Sequence, residues 1–275
     1  MSEYTSFVDG CKNRLIDFYQ KRKCIFGGTF RGKEYKHILA NKDDRMKLII
    51  CKRLQMLGTC ARLFGGRVRF HACSHHVNSS QMACINIFGP LLLGDPNKLR
   101  EFLREAGIII TGNILLCKNY RQGSQFEYRP PTGGDRTNFD CYILTDAEEE
   151  VFIEVKYTES EFGRPSAGAM KANEWDFYSK MCKESMNLIN LGNDKSAFYN
   201  DFQINRNIGH VVSSKQHCVF MFPQANPKLK FQLQPEWKNI HVIHMESIQA
   251  LAEKAFGTDS CLSMYYRSLK EIYLG

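Results

Sequence analysis

No run of apolar residues in this chain is long enough to cross a bilayer. The opening MSEYTSFVDG lacks the basic stretch and apolar block of a secretory leader, so the expectation is a cytoplasmic protein away from membranes. The phosphate loop G-x-x-x-x-G-K-[ST] is missing, so nothing points to a coupled ATPase. G-x-S-x-G and H-E-x-x-H are missing too, which removes two common hydrolase classes. There is no internal repeat, low-complexity tract or long Pro/Ser linker. FHACSHH brings His71, Cys73, His75 and His76 together, but without a second C-x-x-C or H-x₃-H pair it falls short of a zinc pattern.

What is present fits a globular protein. The 275 residues are 43% hydrophobic, enough for one large core or a core with a small appendage. The 11 cysteines are odd in number and several sit in apolar strings, such as Cys84 and Cys218, as buried reduced thiols do. Charge is uneven. Residues 1–70 hold 16 Lys and Arg against 6 Asp and Glu, a local excess of +10 in a chain of net +8. A basic segment beside a near-neutral body suits a polyanion partner, and equally a solvated helical surface.

The first seventy residues read as mostly helical. Phe7, Cys11, Leu15, Ile16 and Tyr19 recur at helical spacing. DDRMKLIICKRLQML opens on Asp43 and Asp44 as a helix start. Gly65-Gly66 interrupts, and Val68 and Phe70 suit a short strand. SSQMACINIFGPLLL predicts a buried helix capped near Ser79-Ser80. PNKLREFLREAG predicts a second helix, with Pro96 at its start and Gly107 as its stop. Then SQFEYRP, NFDCYILT and EVFIEVKYT read as strands separated by turn chemistry. EWDFYSKMCKESMNLIN and SAFYNDFQINRNIGHVV read as helices, HCVFMFP and NIHVIHM as strands, and Ser247 to Leu274 as helix. The order predicts an α/β (α+β) architecture, a mixed central sheet flanked by helices.

VFIEVKY carries the chemistry. Val151, Ile153 and Val155 fall on one strand face, Glu154 and Lys156 on the other. Opposite charges on a buried strand are costly unless paired or bound to an ion. If the preceding strand forms a hairpin with it, Asp140 lies beside Glu154. Two carboxylates can hold a hard divalent cation such as Mg²⁺ without saturating it, leaving room for a phosphate oxygen and a water. Lys156 can orient or deprotonate the nucleophile or stabilise transition-state charge, and the Val155 carbonyl is a natural extra ligand.

Asp140, a thirteen-residue spacer, then Glu154-Val155-Lys156 resembles the D…(D/E)-x-K signature of the PD-(D/E)XK nucleases, the restriction-endonuclease-like phosphodiesterases. GGDRTNFDCYIL…VFIEVKYTE, with SSQ upstream and Q-x-x-R-N downstream, is similar to a bacterial branch of that superfamily over about residues 75–225. The resemblance implies Asp140 and Glu154 as metal ligands, Lys156 as the catalytic lysine, and hydrolysis to a 5′-phosphate and a 3′-hydroxyl. Phe139 stands where the superfamily's Pro would be. For the third acidic residue the candidates are Glu127 in FEYRP and, second, Gln81. Gln203 is the candidate for a helix glutamine, with Arg206 one turn on and Asn207 beside it, although the expected Tyr is absent. Arg129, Arg136 and Arg164 border the proposed site and could grip phosphates. Glu159 and Glu161, just past the strand, suit a solvated loop.

The expectation is therefore a restriction-endonuclease-like domain over 71–275 behind a basic, mostly helical extension over 1–70. Its function would be Mg²⁺-dependent cleavage of nucleic acid, most readily DNA, with Mn²⁺ as substitute cation. By analogy it would work as a homodimer. Alternatives are a branched-DNA resolvase, an RNA nuclease, or a catalytically silent binding module of the same fold.

Overall fold

Serine and asparagine side chains start the helices at the N-terminal end of the chain. In the computed structural model, which describes residues 1–56, 70–93, 95–116, 125–131, 137–165 and 172–275, α1 (Glu3–Lys21) begins where Ser2 accepts the Thr5 amide. Its buried stripe is Cys11, Leu15 and Tyr19, the helical spacing read from the sequence. A two-stranded ribbon follows, β1 (Phe26–Phe30) antiparallel to β2 (Lys33–Leu39). The reading of the first seventy residues as mostly helical did not include this ribbon. Thr29, Phe30, Tyr35 and Ile38 are β-branched or aromatic, and Arg31-Gly32 makes the tight turn.

The Asp43-Asp44 helix is also shorter than expected. A 3₁₀ turn over Lys42–Leu48 ends at Ile49, and only α2 (Lys52–Gln55) follows. Side chains capture the backbone in between: the Ile50 amide donates to Asn86 Oδ1 and the Ile50 carbonyl accepts from Arg22. Val68 lies outside the described residues, and Phe70 is not in a strand. The buried helix α3 (Ser80–Leu92) is capped by Ser79, and every residue from Gln81 to Leu92 is buried. α4 (Asn97–Glu105) starts after Pro96 and stops at Gly107, whose φ is +79°.

The central sheet is mixed, as expected. β5 (Phe139–Thr145) and β6 (Glu150–Val155) form an antiparallel hairpin with Cys141 opposite Ile153. β6 runs parallel to β7 (Gln216–Phe222), and β7 parallel to β8 (Ile240–His244). Two short strands, β3 (Ile114–Leu115) and β4 (Phe126–Tyr128), pair with the far side of β5. α5 (Ala172–Glu184), α6 (Lys195–Asn200) and α7 (Phe202–Ile208) lie between β6 and β7 in the chain, and α8 (Ile248–Phe256) and α9 (Cys261–Tyr273) close it. Asp201, at φ −118° and ψ 48°, separates α6 from α7 where the sequence suggested one helix.

The side-chain period of two sorts the sheet into faces. Ile153, Val155, Val219, Met221 and Ile243 belong to the larger apolar core, which also takes in side chains of α1, α3, α4, α8 and α9. Cys218, Phe220 and Phe222 belong to a second core with α5, α6 and α7. Each large apolar side chain so buried contributes about 1.5–3 kcal/mol. Glu154 is in register with Phe220 and so falls on the second face.

A polar tie runs through the larger core. Asn86, fully buried on α3, donates to the Leu48 carbonyl and the Tyr273 hydroxyl and accepts the Ile50 amide. Tyr19 also donates to the Leu48 carbonyl, and Tyr157 donates to the Tyr273 carbonyl. Asn86→Ala leaves several of these groups without partners, each costing about 1–3 kcal/mol where buried. The expected loss in urea unfolding is about 2–4 kcal/mol, and a loss below about 1 kcal/mol would show the tie to be dispensable.

Candidate active site

The hairpin register that pairs Cys141 with Ile153 brings Asp140 and Glu154 next to each other on the same face. Asp140 Oδ2 accepts the Val155 amide at 2.8 Å. Glu154 is 3% exposed and Asp140 8%, so two carboxylates are withdrawn from water side by side. Lys156 follows directly after β6. Its amide continues the ladder to the Met221 carbonyl, and its ammonium lies 2.8 Å from Glu154 Oε1. Asp140, Glu154 and Lys156 all line one cavity of about 490 Å³.

Glu154 has two further partners from α7. Gln203 donates to its Oε1 at 2.5 Å and Asn207 to its Oε2 at 3.4 Å. One helical turn carries both, since positions four apart share a helix face. Gln203 and Arg206 line the cavity with Asp140. The Arg206 guanidinium also stands 5.1 Å from the Phe202 ring centroid. Gly163 makes room for Gln203: a Cβ there would sit 2.2 Å from Gln203 Oε1, and its φ of +139° disfavours any other residue.

Electrostatics follow from burial and crowding. Burial pushes the Asp140 carboxyl well above its ordinary range, and the neighbouring negative charges of Glu154 and Glu127 push the same way. Burial alone would lower the Lys156 ammonium. The charges of Glu154, Glu159 and Asp140 outweigh it and hold Lys156 above its ordinary value. The site therefore holds a protonated amine among an excess of carboxylates.

Glu127 stands one layer behind this wall. It is 4% exposed and its backbone sits at φ +58°. Gln81 on α3 donates to its Oε1 at 2.8 Å, and Asn138, a cavity residue, donates to its Oε2. His71, another cavity residue, contacts Oε2 at 2.5 Å. The bond to Glu127 raises the His71 pKa against the opposing effect of burial. Glu127 and Gln81, two separate candidates in the sequence, are thus bonded to each other.

The structure does not gather every predicted residue. Arg129 is exposed and outside the cavity lining. Arg164 is 83% exposed and bonds Glu161 at 2.6 Å, so solvent and a neighbouring carboxylate hold it away. Arg136 lies outside the described residues. Glu159 was expected in a solvated loop, but it lines the cavity and accepts the Tyr157 amide. His71, Asn138, Asn78 and Thr158 were missed as cavity residues. For His71 the signal was the FHACSHH cluster, which was read only against a zinc pattern; for the others it was their place just before the Ser79 cap or beside the two motif strands.

The donor set suits a hard cation. Two buried carboxyl groups face one cavity, and a buried cavity oxygen, Asn78 Oδ1, has no hydrogen-bond partner among the described residues. Among those residues no three His, Cys, Asp or Glu side chains form a ready metal cage, so the His71–His76 segment gains no support as a zinc site. No described helix is long and apolar enough to cross a membrane.

Comparison with curated proteins and with solved structures finds no match. A family model described as "restriction endonuclease associating with ARP" matches residues 12–271, a span that contains α3, the whole central sheet and every cavity residue named above. On that match, which leaves out only the two ends, the chain belongs to this restriction endonuclease family.

Proposed function

We propose that the protein is a Mg²⁺-dependent endonuclease of the PD-(D/E)XK type that hydrolyses DNA phosphodiester bonds. The observation that carries this is the convergence of Asp140, Glu154 and Lys156 on one cavity, on strands joined as a hairpin. The restriction endonuclease family supports the nuclease class and a nucleic-acid partner. A cytoplasmic place and a homodimer cutting both strands remain with the proposal.

Asp140 and Glu154 would hold the cation, and the carbonyl of Val155, the residue between Glu154 and Lys156 in the chain, would be a further ligand, although Val155 is not among the residues lining the cavity. When bound, Mg²⁺ polarises the phosphoryl group and acidifies a water. Lys156, kept protonated by its carboxylate neighbours, serves to orient that water and to neutralise charge gathering on the phosphate, more readily than to take a proton. Gln203 and Asn207 fix the Glu154 carboxylate, and the Asp140–Val155 bond fixes Asp140. Arg206, on the same wall, offers charge to a neighbouring phosphate. Water adds across the P–O3′ bond, leaving a 5′-phosphate and a 3′-hydroxyl.

A plasmid nicking assay with Mg²⁺, Mn²⁺ or EDTA tests this. Cleavage should need the cation, and Asp140→Asn, Glu154→Gln and Lys156→Ala should each lower it by about 10²-fold or more without unfolding the protein. Full activity in Glu154→Gln would mean that the wrong carboxylates have been chosen. Salt-sensitive binding with no cleavage in any metal would instead favour a silent binding module, and preference for junctions or RNA would move the substrate class.

Gly163→Ala provides a finer check. The added methyl displaces the Gln203 amide, the flexible partner in that contact, so Glu154 loses its shortest neutral hydrogen bond. A fall in kcat of about tenfold, matched by Gln203→Ala, is expected. Unchanged kcat in both variants would remove Gln203 from the site.

A further inference from the structure

We propose that the β1–β2 ribbon is the element that grips the substrate duplex, entering its major groove beside the catalytic cavity. This deepens the nuclease proposal and rests on it for the identity of the substrate.

The ribbon is a sheet of its own, apart from the central one. It stands on the cavity wall. Ile38 forms a β-bridge with His76, and the Phe30 and His37 rings meet the His76 ring edge-on at 5.1 and 5.6 Å. His76 is itself a cavity residue. Arg31 reaches toward the same wall: burial raises the pKa of Cys73, which lines the cavity, and the Arg31 charge works against that rise.

Its surface has the charge a polyanion needs. Residues 26–39 hold three Lys and Arg against one acidic side chain, Glu34. Arg31, Lys33 and Lys36 are exposed on the ribbon, and none of the three has an ion-pair partner among the described residues. An antiparallel ribbon is one of the two protein elements that fit a B-DNA major groove, about 12 Å wide.

The tip adds an independent sign. Phe30 pairs with Lys33, so the loop is the two residues Arg31-Gly32, at φ +49° and +78°. Such turns favour Asn, Asp or Gly at the first position. An arginine held there is strained, and it is stacked over Phe30 at 5.2 Å. Strain retained at an exposed cationic tip points to use of that side chain in binding.

The test uses the full-length protein and a fluorescent 30-base-pair duplex in EDTA, so that binding is read without cleavage. Anisotropy titrations at several salt concentrations compare the parent with Arg31→Ala/Lys33→Ala/Lys36→Ala. The triple variant should lose about 10- to 100-fold in affinity at low salt, and its log–log salt slope should shrink by about 2–3 units. Arg31→Asn should raise the thermal midpoint and yet weaken binding, opposite signs that a merely structural tip would not give. In Mg²⁺, hydrolysis of a small nitrophenyl phosphodiester should be the same in parent and triple variant, because it needs only the cavity. Parental affinity and slope in the triple variant would overturn the proposal. So would equal losses on duplex RNA, whose narrow major groove excludes a ribbon. A protein that cleaves nothing but shows the ribbon-dependent binding would sink the nuclease proposal alone.

Discussion

One hydrogen bond across a hairpin fixes the cavity: Asp140 Oδ2 accepts the Val155 amide. It spends one carboxylate oxygen on the backbone of the neighbouring strand and holds Asp140 beside Glu154. Without the β5–β6 register the two acids would be fourteen residues apart in the chain and unrelated in space. A slip of one residue would send Glu154 into the apolar core that Ile153 and Val155 now occupy. Register is therefore protected by the same apolar burial that makes the site costly.

That cost is visible in the charges. Two carboxylates and one ammonium share a volume nearly closed to solvent, and a third carboxylate, Glu127, lies behind them. A buried ion pair by itself is weak evidence of stabilisation, since desolvation offsets much of the Coulomb gain. Here the pair is surrounded by amide donors: Gln203 and Asn207 toward Glu154, Gln81 and Asn138 toward Glu127. The donors to Glu154 come from α7, and those to Glu127 from α3 and the segment before β5, so each carboxylate has its own set of amides. These amides satisfy the Glu154 and Glu127 oxygens without adding charge to the site.

Much of this was legible in the chain. The apolar frame of VFIEVKY announced a central strand, the turn residues before and after it announced the hairpin, and Ser79 announced the buried helix. The β1–β2 ribbon was not legible, because FGGTF and KEYKHIL mix glycine and charge and lack clean alternation. Side chains that seize backbone groups also hid from pattern reading, as where Asn86 and Arg22 end the helix at Ile50. Arg129 and Arg164 were chosen for nearness in sequence, and nearness in sequence does not fix direction in space.

The sequence by itself determined the strand order of acid, acid and lysine, because a period of two and an apolar frame leave few ways to bury that string. Only the tertiary structure decided which polar residues surround it. Gln203 lies 49 residues from Glu154, and Gln81 46 residues from Glu127. Contacts over such separations depend on how helices pack against the sheet, and packing is set by the shapes of whole surfaces that no local pattern encodes.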